Sequence, residues 1–379
     1  MLKKIALGLL IAVCFSANAN AIETKAKYAI LMDYDTGDYL FEKEAQLPVP
    51  PASMSKLMTV YILLEKMKSG EISPDDEFTV SETAWRKGGA ATGGSTMFLP
   101  IGATVKVSEL LQGIVIQSGN DACIVVAENL AGSEEAFAVE MNKKAKELGM
   151  ENSSFANSTG LPHPDQRMSA EDLAKLARLI IQNFPEEYNI FSEKMFVYNG
   201  IKQYNRNPLL NSMYGADGLK TGHTEEAGYG LTSSVKREGR RLIGVLSGMS
   251  SMRERSEESE KLMSWGFRNF DNYQVVSKDK KMKEISVWMG TKPTVDVYPE
   301  HDVTLTLSRL DANKVKMTLV YDTPVKAPVV KGDVLGQIKI EIPEKETINV
   351  PLVAVDNVAK KGFFSRVLSN LNYYLLGNK

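Results

Sequence analysis

Along the first two thirds of the chain, the spacing of apolar and polar residues changes period twice. Residues 29–40 alternate around turn residues at 35–38, which predicts two strands. Beyond Pro51 the apolar residues recur at helical spacing as far as Gly70, which predicts a helix. Because apolar residues cover most of this helix, we expect it to lie at the centre of the fold.

Helical spacing continues through the middle of the chain and predicts helices at about 107–117, 121–130, 134–148 and 170–183. Ser133 and Ser169 precede two of these helices and are suited to cap them. Residues 228–249 then alternate around a turn at 237–240, and a helix is predicted over 253–270. Strands therefore flank a helical middle. This order predicts one antiparallel sheet, built from both ends of the domain, with helices packed against it.

After residue 271 the chain consists of short alternating segments separated by turn residues. This pattern predicts a small all-β domain over 272–356, following a first domain over 22–271. In residues 357–379 the apolar positions form one helical stripe, and residues 360–379 contain no acidic side chain. We expect this amphipathic helix to lie on a membrane surface, and packing on its own protein is the alternative.

Residues 1–21 have the layout of a secretory signal peptide. MLKK supplies two lysines, an apolar run covers residues 5–15, and cleavage is expected after Ala19 or Ala21. The mature protein is therefore expected outside the cytoplasm. Cys14 leaves with the signal, so Cys123 has no internal disulfide partner. Cys123 is expected to be a buried bystander, and a position lining the site is the alternative.

Composition and missing motifs exclude several classes of function. The chain is 43% hydrophobic and 24% charged, and its formal net charge of -2 gives no indication of nucleic-acid binding. The sequence has no G-x-S-x-G elbow, no H-E-x-x-H and no Cys/His cluster, so we expect neither an α/β-hydrolase triad nor a metal or cofactor. The glycine-rich residues 86–96 lack the phosphate-loop pattern and are expected to form a flexible loop.

A serine and a lysine three residues apart open the first helix. Ser53 and Lys56 lie on the same side of a helix at this spacing, and a buried lysine can act as a general base. S-x-x-K also occurs at Ser233 and at Ser277, but in strand or loop sequence, where the side chains do not meet. On this motif alone, a Ser53 that only caps the helix is the favoured explanation.

Two further motifs favour chemistry over capping. Ser118-Gly119-Asn120 lies between two predicted helices, and Lys220-Thr221-Gly222 precedes the strand that begins near Gly228. A hydroxyl and an amide can relay a proton and orient the lysine, and a second lysine adds positive charge. The ordered set S-x-x-K, S-x-N, K-T-G therefore predicts a serine nucleophile with a lysine base.

With these motifs the sequence resembles the type-5 low-molecular-mass penicillin-binding proteins, the D-alanyl-D-alanine carboxypeptidases. The resemblance extends over the mature chain through ILMDYDTGDYL, PASMSKLMT, LQGIVIQSGNDAC and DGLKTGHTEEAGYGL. It implies an α+β fold. In this fold the first domain is β-lactamase/transpeptidase-like, with an antiparallel sheet, helices on both sides of it and a helical subdomain. The small all-β domain and the amphipathic helix follow it.

The resemblance also implies the roles of the motif residues. Ser53 attacks the carbonyl of the penultimate D-Ala and forms an acyl-enzyme, with Lys56 as the base. Ser118 passes a proton to the leaving D-Ala, Asn120 orients the lysine and the substrate amide, and Lys220 adds positive charge.

Substrate binding is implied for a second group of residues. Thr221 binds the terminal carboxylate, and Gly222 and His223 continue the substrate-binding strand. The backbone N–H groups of Ser53 and His223 form the oxyanion hole. Arg206 and Arg255 help to hold the carboxylate or to order the site.

The implied partners are peptidoglycan pentapeptide stems, β-lactam inhibitors and a membrane surface, with no cofactor and no nucleic acid. The implied location is the periplasm, at the outer face of the cytoplasmic membrane. A serine β-lactamase shares the three motifs, but residues 150–185 contain no clear E-x-x-x-N element for its second base. The motifs are also compatible with a DD-endopeptidase, and a catalytically idle wall-binding scaffold is the competing hypothesis without an enzyme activity.

Overall fold

The computed structural model describes residues 22–342, 345–365 and 367. The predicted signal peptide, residues 1–21, lies outside the described residues, as does most of the predicted helix over 357–379. A mixed α and β unit and an all-β unit follow one another along the described chain. None of the described helices combines the length and the hydropathy needed to cross a membrane.

Strands and helices of the first unit follow the order expected from the sequence. The strands are β1 (Tyr28–Asp33), β2 (Tyr39–Lys43), β3 (Glu77–Thr79), β4 (Thr104–Lys106), β5 (Met195–Tyr198), β6 (Ile201–Tyr204), β7 (Ala216–Thr224), β8 (Gly228–Arg237) and β9 (Arg240–Met249). The helices are α1 (Lys56–Lys68), α2 (Glu82–Gly88), α3 (Val107–Gln112), α4 (Asn120–Ala131), α5 (Glu134–Glu147), α6 (Ala170–Asn183), α7 (Leu209–Ser212) and α8 (Met252–Asn269). The predicted caps Ser133 and Ser169 are confirmed, since each accepts a backbone N–H of the helix that follows. The predicted helix over 107–117 is wrong at its end, because α3 gives way to a π-helical turn, Gly113–Gln117.

The central sheet is antiparallel and has the strand order β2-β1-β9-β8-β7. Side chains alternate across a strand, so β1 contributes to two cores. Ile30 and Met32 pack with α1 and α6, whereas Ala29 and Leu31 pack with α8. The predicted sheet, with strands from both ends of the domain and helices on both faces, is confirmed.

Helix α1 runs through the helical part of this unit and is buried on every side from Lys56 to Leu64. Helices α4, α5 and α6 pack around it. The prediction that this helix is central is confirmed. Lys56 has no exposed surface, although a lysine in such a position must lose most of its hydration. Its surroundings are therefore the first place to look for chemistry.

The second unit consists of strands around their own apolar core. The strands are β10 (Phe270–Val276), β11 (Lys283–Trp288), β12 (Thr294–Pro299), β13 (Val303–Ser308), β14 (Lys316–Tyr321), β15 (Val325–Lys326), β16 (Val334–Glu341) and β17 (Ile348–Ala354). β10 pairs with β13, and the larger sheet has the order β14-β16-β17-β12-β11-β15. Its core includes Ile285, Val297, Ile338 and Val350. The domain limits at 271/272 and 356/357 stay predictions, and β10 runs through the first of them.

Candidate active site

Ser53 lies in a 3₁₀ turn, Ala52–Ser55, between Pro51 and α1. Ala52 has a φ of 49°, and such a left-handed backbone costs an alanine about 1–2 kcal/mol. Neither this turn nor α1 has a side-chain cap within the described chain, so the alternative that Ser53 caps the helix is wrong. The Ser53 hydroxyl accepts a hydrogen bond of 2.9 Å from Lys56 Nζ instead.

Lys56 joins three parts of the chain at its ammonium group. Besides Ser53 Oγ, its Nζ donates to Asn120 Oδ1 at 2.8 Å and to the backbone carbonyl of Thr159. Burial lowers the pKa of Lys56 to about 8, because desolvation disfavours the ammonium form. At pH 7 about one Lys56 side chain in ten is therefore neutral and able to accept a proton, and about half are neutral near pH 8.

Ser118 is placed by an irregular turn of backbone. The π-helical turn Gly113–Gln117 ends at Ser118, whose left-handed conformation (φ 65°, ψ 33°) directs the chain into α4. Its Oγ is buried and has no hydrogen-bond partner among the described residues. A buried hydroxyl without a partner costs free energy, and this one is free to bond a ligand. Such a free hydroxyl is what a proton relay requires.

Asp121, which belongs to none of the three motifs, fixes the wall beside Ser118 and Asn120. Its fully buried carboxylate accepts hydrogen bonds from Met97 N at 2.8 Å, Leu99 N at 3.1 Å and Thr96 Oγ1 at 2.6 Å. The segment 96–99 is thereby held against the start of α4. The sequence analysis did not single out Asp121. Its position directly after the S-x-N motif, at the start of a helix, was the signal that could have identified it.

The K-T-G motif lies on β7, the edge strand of the central sheet next to the Ser53 turn. Lys220 and Thr221 are buried, and Lys220 Nζ donates to the Thr221 carbonyl at 3.2 Å. Burial lowers the pKa of Lys220 well below its usual value, and repulsion by Lys56 and Arg206 lowers it further. The outer edge of β7 has no strand partner in the described sheet, so its backbone groups can pair with an extended substrate.

Gly222 allows this strand to approach the nucleophile. A Cβ at this position would lie 2.9 Å from the Pro51 carbonyl oxygen and 3.1 Å from Met54 Cγ, closer than side chains pack. The next residue, His223, has an exposed side chain that stacks on Tyr229, with 3.9 Å between ring centroids.

The two predicted arginines lie next to one another. Arg206 Nη1 donates to Ser95 Oγ at 2.6 Å, and Arg255 Nη2 donates to the Arg206 carbonyl at 3.4 Å. Arg255 is buried, lies 5.8 Å from the centroid of the Tyr229 ring and has an Nε without a partner in the described chain. Two guanidinium groups at the end of β7 suit a carboxylate ligand.

The structure thus brings the three motifs together, and it adds the segment 157–160, which the sequence reasoning missed. The Thr159 carbonyl contacts Lys56, and no side-chain motif reveals a carbonyl in advance. The signal available was Asn-Ser-Thr-Gly at 157–160, a typical turn sequence. Cys123 is a free, buried thiol whose pKa burial raises to about 12, so it is inert, but it lies close enough to Lys56 to affect the pKa of that lysine. The described chain contains no group of three metal-ligating side chains.

Chemically, this arrangement combines a hydroxyl nucleophile, a desolvated lysine base within hydrogen-bond distance, and a second free hydroxyl. A strand edge and two arginines lie beside them to receive an extended ligand with a carboxylate. These are the components of acyl transfer through a covalent intermediate.

Comparison with known proteins gives two family matches. Residues 15–251 match the model of the D-alanyl-D-alanine carboxypeptidases, peptidase S11. Residues 270–360 match the model of the penicillin-binding protein 5 C-terminal domain.

Individual proteins are similar over most of the chain. D-alanyl-D-alanine carboxypeptidase DacC of Escherichia coli is 41% identical over 345 residues, which covers 90% of this chain and 86% of that protein. The crystal structure of penicillin-binding protein 5 from Haemophilus influenzae superposes with a TM-score of 0.78 at 35% identity, covering 90% of this chain and 99% of that one. Penicillin-binding protein D2 of Listeria monocytogenes, solved in an ampicillin-bound form, has a TM-score of 0.57 at 31% identity and covers 65% of this chain and 99% of that one.

Proposed function

The chain belongs to the D-alanyl-D-alanine carboxypeptidases of peptidase family S11, and from this premise we propose that it removes the terminal D-Ala from peptidoglycan pentapeptide stems. The observation that carries the proposal is the position of the fully buried Lys56, whose Nζ lies 2.9 Å from Ser53 Oγ and 2.8 Å from Asn120 Oδ1. Such a lysine activates the serine without a histidine.

In the acylation step, neutral Lys56 takes the proton of the Ser53 hydroxyl while Oγ attacks the carbonyl carbon of the penultimate D-Ala. The carbonyl oxygen becomes negatively charged, and the backbone N–H groups of Ser53 and His223 stabilise it. The close approach of β7 at Gly222 brings these two segments together.

Collapse of this intermediate breaks the bond to the terminal D-Ala. The leaving amine needs a proton, which Ser118 Oγ supplies and regains through Lys56, while Asn120 holds the lysine in place. In its protonated form, Lys220 adds positive charge beside Ser118. A water molecule then attacks the Ser53 ester, with Lys56 again as the base, and releases the shortened stem.

The terminal carboxylate of the substrate is bound by Thr221 and the two arginines. Arg255 has little exposed surface and an unpaired Nε, so a ligand carboxylate would satisfy a donor that is otherwise buried alone. Arg206 lies beside it through their backbone contact.

β-Lactams acylate the same serine, because their strained amide and carboxylate resemble D-Ala-D-Ala. The Listeria relative crystallised with ampicillin supports this expectation. Residues 150–185 contain no clear E-x-x-x-N element that would supply the second base of an efficient β-lactamase. We therefore expect the penicilloyl-enzyme to be long-lived.

The protein works in the periplasm, where residues 1–21 direct it, and residues 357–379 attach it to the outer face of the cytoplasmic membrane. Among the described residues of that segment, Phe363, Phe364 and Val367 support this, because they are 67%, 87% and 44% exposed, whereas Val358 packs in the core of the β domain. The β domain, residues 272–356, acts as a spacer. Deleting residues 360–379 should release the protein from membranes without loss of activity on a soluble peptide, and continued sedimentation with membranes would contradict the anchor.

The function is tested by D-Ala release from diacetyl-Lys-D-Ala-D-Ala. Wild-type protein should release D-Ala and Ser53→Ala should not. Ser55→Ala is the matched control, because Ser55 is the neighbouring serine and donates only to the Ala52 carbonyl. No release by wild type would refute the carboxypeptidase function, rapid hydrolysis of penicillin would favour a β-lactamase, and binding to cell walls without turnover would favour a scaffold.

A further inference from the structure

The segment Asn157–Gly160 is organised around one side chain. Asn157 Oδ1 accepts hydrogen bonds from Thr159 N at 3.2 Å, Thr159 Oγ1 at 3.0 Å and Gly160 N at 2.7 Å. These contacts fix the peptide planes on both sides of Thr159 and therefore the direction of the Thr159 carbonyl, which accepts from Lys56 Nζ. Asn157 thus controls an acceptor of the proposed base without touching it.

Two helices anchor the same turn from outside. Glu134, in the first turn of α5, accepts from Ser158 N at 3.1 Å and from Ser158 Oγ at 2.7 Å. Thr59, three residues after Lys56 on α1, donates its hydroxyl to the Ser158 carbonyl at 2.8 Å. The turn is therefore tied both to the helix that carries the lysine and to a neighbouring helix.

The turn also packs directly against the 3₁₀ turn that carries the nucleophile. Gly160 has a φ of +78°, and a Cβ there would lie 2.1 Å from the Ala52 carbonyl oxygen and 2.4 Å from Ser55 Oγ. Any displacement of the turn must therefore move either Lys56 or the segment that carries Ser53.

The number of protons on Lys56 shows why the direction of one carbonyl matters. A neutral amine has two N–H donors and one lone pair, and Lys56 Nζ has three neighbours. Asn120 Oδ1 and the Thr159 carbonyl oxygen can only accept, whereas Ser53 Oγ can also donate. When both acceptors take an N–H, the lone pair is left facing the Ser53 hydroxyl.

We propose that Asn157 and Glu134 are positioning residues, which hold the Thr159 carbonyl against Lys56 so that the lone pair of the neutral amine faces Ser53. The proposal rests on the proposed function, because it assigns a task only if Lys56 is the base. Neither residue belongs to the three motifs.

Several charged or titratable groups surround Lys56 and also affect its protonation. Cys123 and Asp121 face it from α4, Glu134 from α5, Lys220 from β7 and Arg206 from the segment after β6. The negative charge of Glu134 raises the pKa of Lys56, so Glu134 acts both as an anchor and as a charge. The experiment must separate these two effects.

The test is the pH dependence of acylation by a fluorescent penicillin, measured as a second-order rate from pH 5 to pH 10. In Asn157→Ala the rate on the alkaline plateau should fall roughly 10- to 100-fold, the size expected for a misdirected base. The acid limb should move to lower pH, because the ammonium form loses a charge-assisted acceptor. Asn157→Asp keeps the acceptor and should recover most of the plateau rate.

The control for Asn157 is Asn142→Ala. Asn142 makes three hydrogen bonds, to Ala138 and to both backbone groups of Phe155, but it does not reach the turn. This variant should lose thermal stability and keep both the plateau rate and the acid limb of the wild type.

Two substitutions of Glu134 separate the anchor from the charge. Glu134→Gln keeps an acceptor for Ser158 and removes the charge, so the acid limb should move to lower pH while the plateau stays within about twofold. Glu134→Ala also removes the acceptor, and its plateau should fall about tenfold below that of Glu134→Gln. This pair tests the proposal even if Asn157→Ala does not fold.

The positioning role is wrong if Glu134→Ala and Glu134→Gln have the same plateau acylation rate. It is also wrong if Asn157→Ala, like Asn142→Ala, keeps the plateau rate and the acid limb of the wild type. A wild-type protein that is not acylated at any pH would instead refute the proposed function, since no base would then be at work. The two failures are therefore distinguishable.

Discussion

At the scale of single residues, Lys56 is the centre of the proposed mechanism. It is fully buried, and its charged form therefore lacks the hydration that an ammonium needs. Three acceptors replace part of that hydration, and burial still lowers its pKa to about 8. Burial of Lys56 therefore costs folding free energy, but it also provides a base that loses its proton near pH 8.

The pH profile of the reaction follows from this shift. Acylation requires neutral Lys56, so kcat/KM for the D-Ala-D-Ala peptide should be low at pH 6, rise through a midpoint near 8 and level off above it. The ordinary lysine pKa of about 10.4 would place the midpoint more than two pH units higher. A profile that is flat between pH 6 and pH 9, or a Lys56→Ala variant with a normal acylation rate, would contradict the role of Lys56 as base.

The individual residues of the site can be predicted well from the sequence where side chains carry the chemistry. Ser53 and Lys56 meet because a spacing of three residues lies within one helical turn, and Asn120 and Lys220 join them as the motif order suggested. The Thr159 carbonyl and its supports could not be predicted, because any residue offers a carbonyl and only the path of the chain aims it. Nor could the sequence show whether Ser53 caps the helix or leaves its N-terminus without a side-chain cap.

At the scale of elements, the site depends on irregular backbone between regular segments. The 3₁₀ turn Ala52–Ser55, the π-helical turn Gly113–Gln117 and the segment 157–160 each present one group to Lys56 or beside it. Periodic patterns predicted the helices and strands that hold these turns, since burial repeats along them. The π-helical turn was predicted as plain helix, because its five residues lie at the end of the apolar run and are too few to show a different period.

Gly222 tests whether the approach of β7 to the Ser53 turn matters. In Gly222→Ala the new methyl group would meet the Pro51 carbonyl at 2.9 Å, which is backbone and cannot turn aside. We expect the acylation rate to fall at least tenfold with only a modest loss of thermal stability.

Gly230→Ala is the matched control for this substitution. Gly230 lies directly opposite Gly222 on β8, but its added methyl would meet the flexible end of Met54 at 2.6 Å. Its rate should therefore stay nearer to that of the wild type. Equal rates in the two variants would show that the approach of β7 is not what the site requires.

At the scale of the whole molecule, a buried polar cluster joins the two units. The Asp33 carboxylate, which has no exposed surface, accepts from Arg240 Nε at 2.8 Å and from Asn272 Nδ2 at 3.1 Å. Arg240 Nη1 also donates to the Phe270 carbonyl at 2.5 Å. The hydrophobic pattern located both units, but this junction was not predicted, because charged residues in turns are usually exposed.

Removal of Arg240 should therefore destabilise the protein. Arg240→Ala leaves the buried Asp33 carboxylate without its cation, and breaking such a pair costs about 3–5 kcal/mol. The free energy of unfolding in urea measures the loss. Arg253→Ala is the control, because its pair with Glu257 is exposed and should contribute less than about 1 kcal/mol. Equal losses in the two variants would show that the junction is not a stabilising contact.

The most direct test of the central claim is to identify the residue that becomes acylated. The protein is incubated with benzylpenicillin, digested, and the covalent adduct is located by tandem mass spectrometry. We predict one penicilloyl group on Ser53 and none on Ser55, and no adduct in Ser53→Ala. An adduct on another residue, or a wild-type protein that forms none while it releases D-Ala, would contradict the role of Ser53 as the nucleophile.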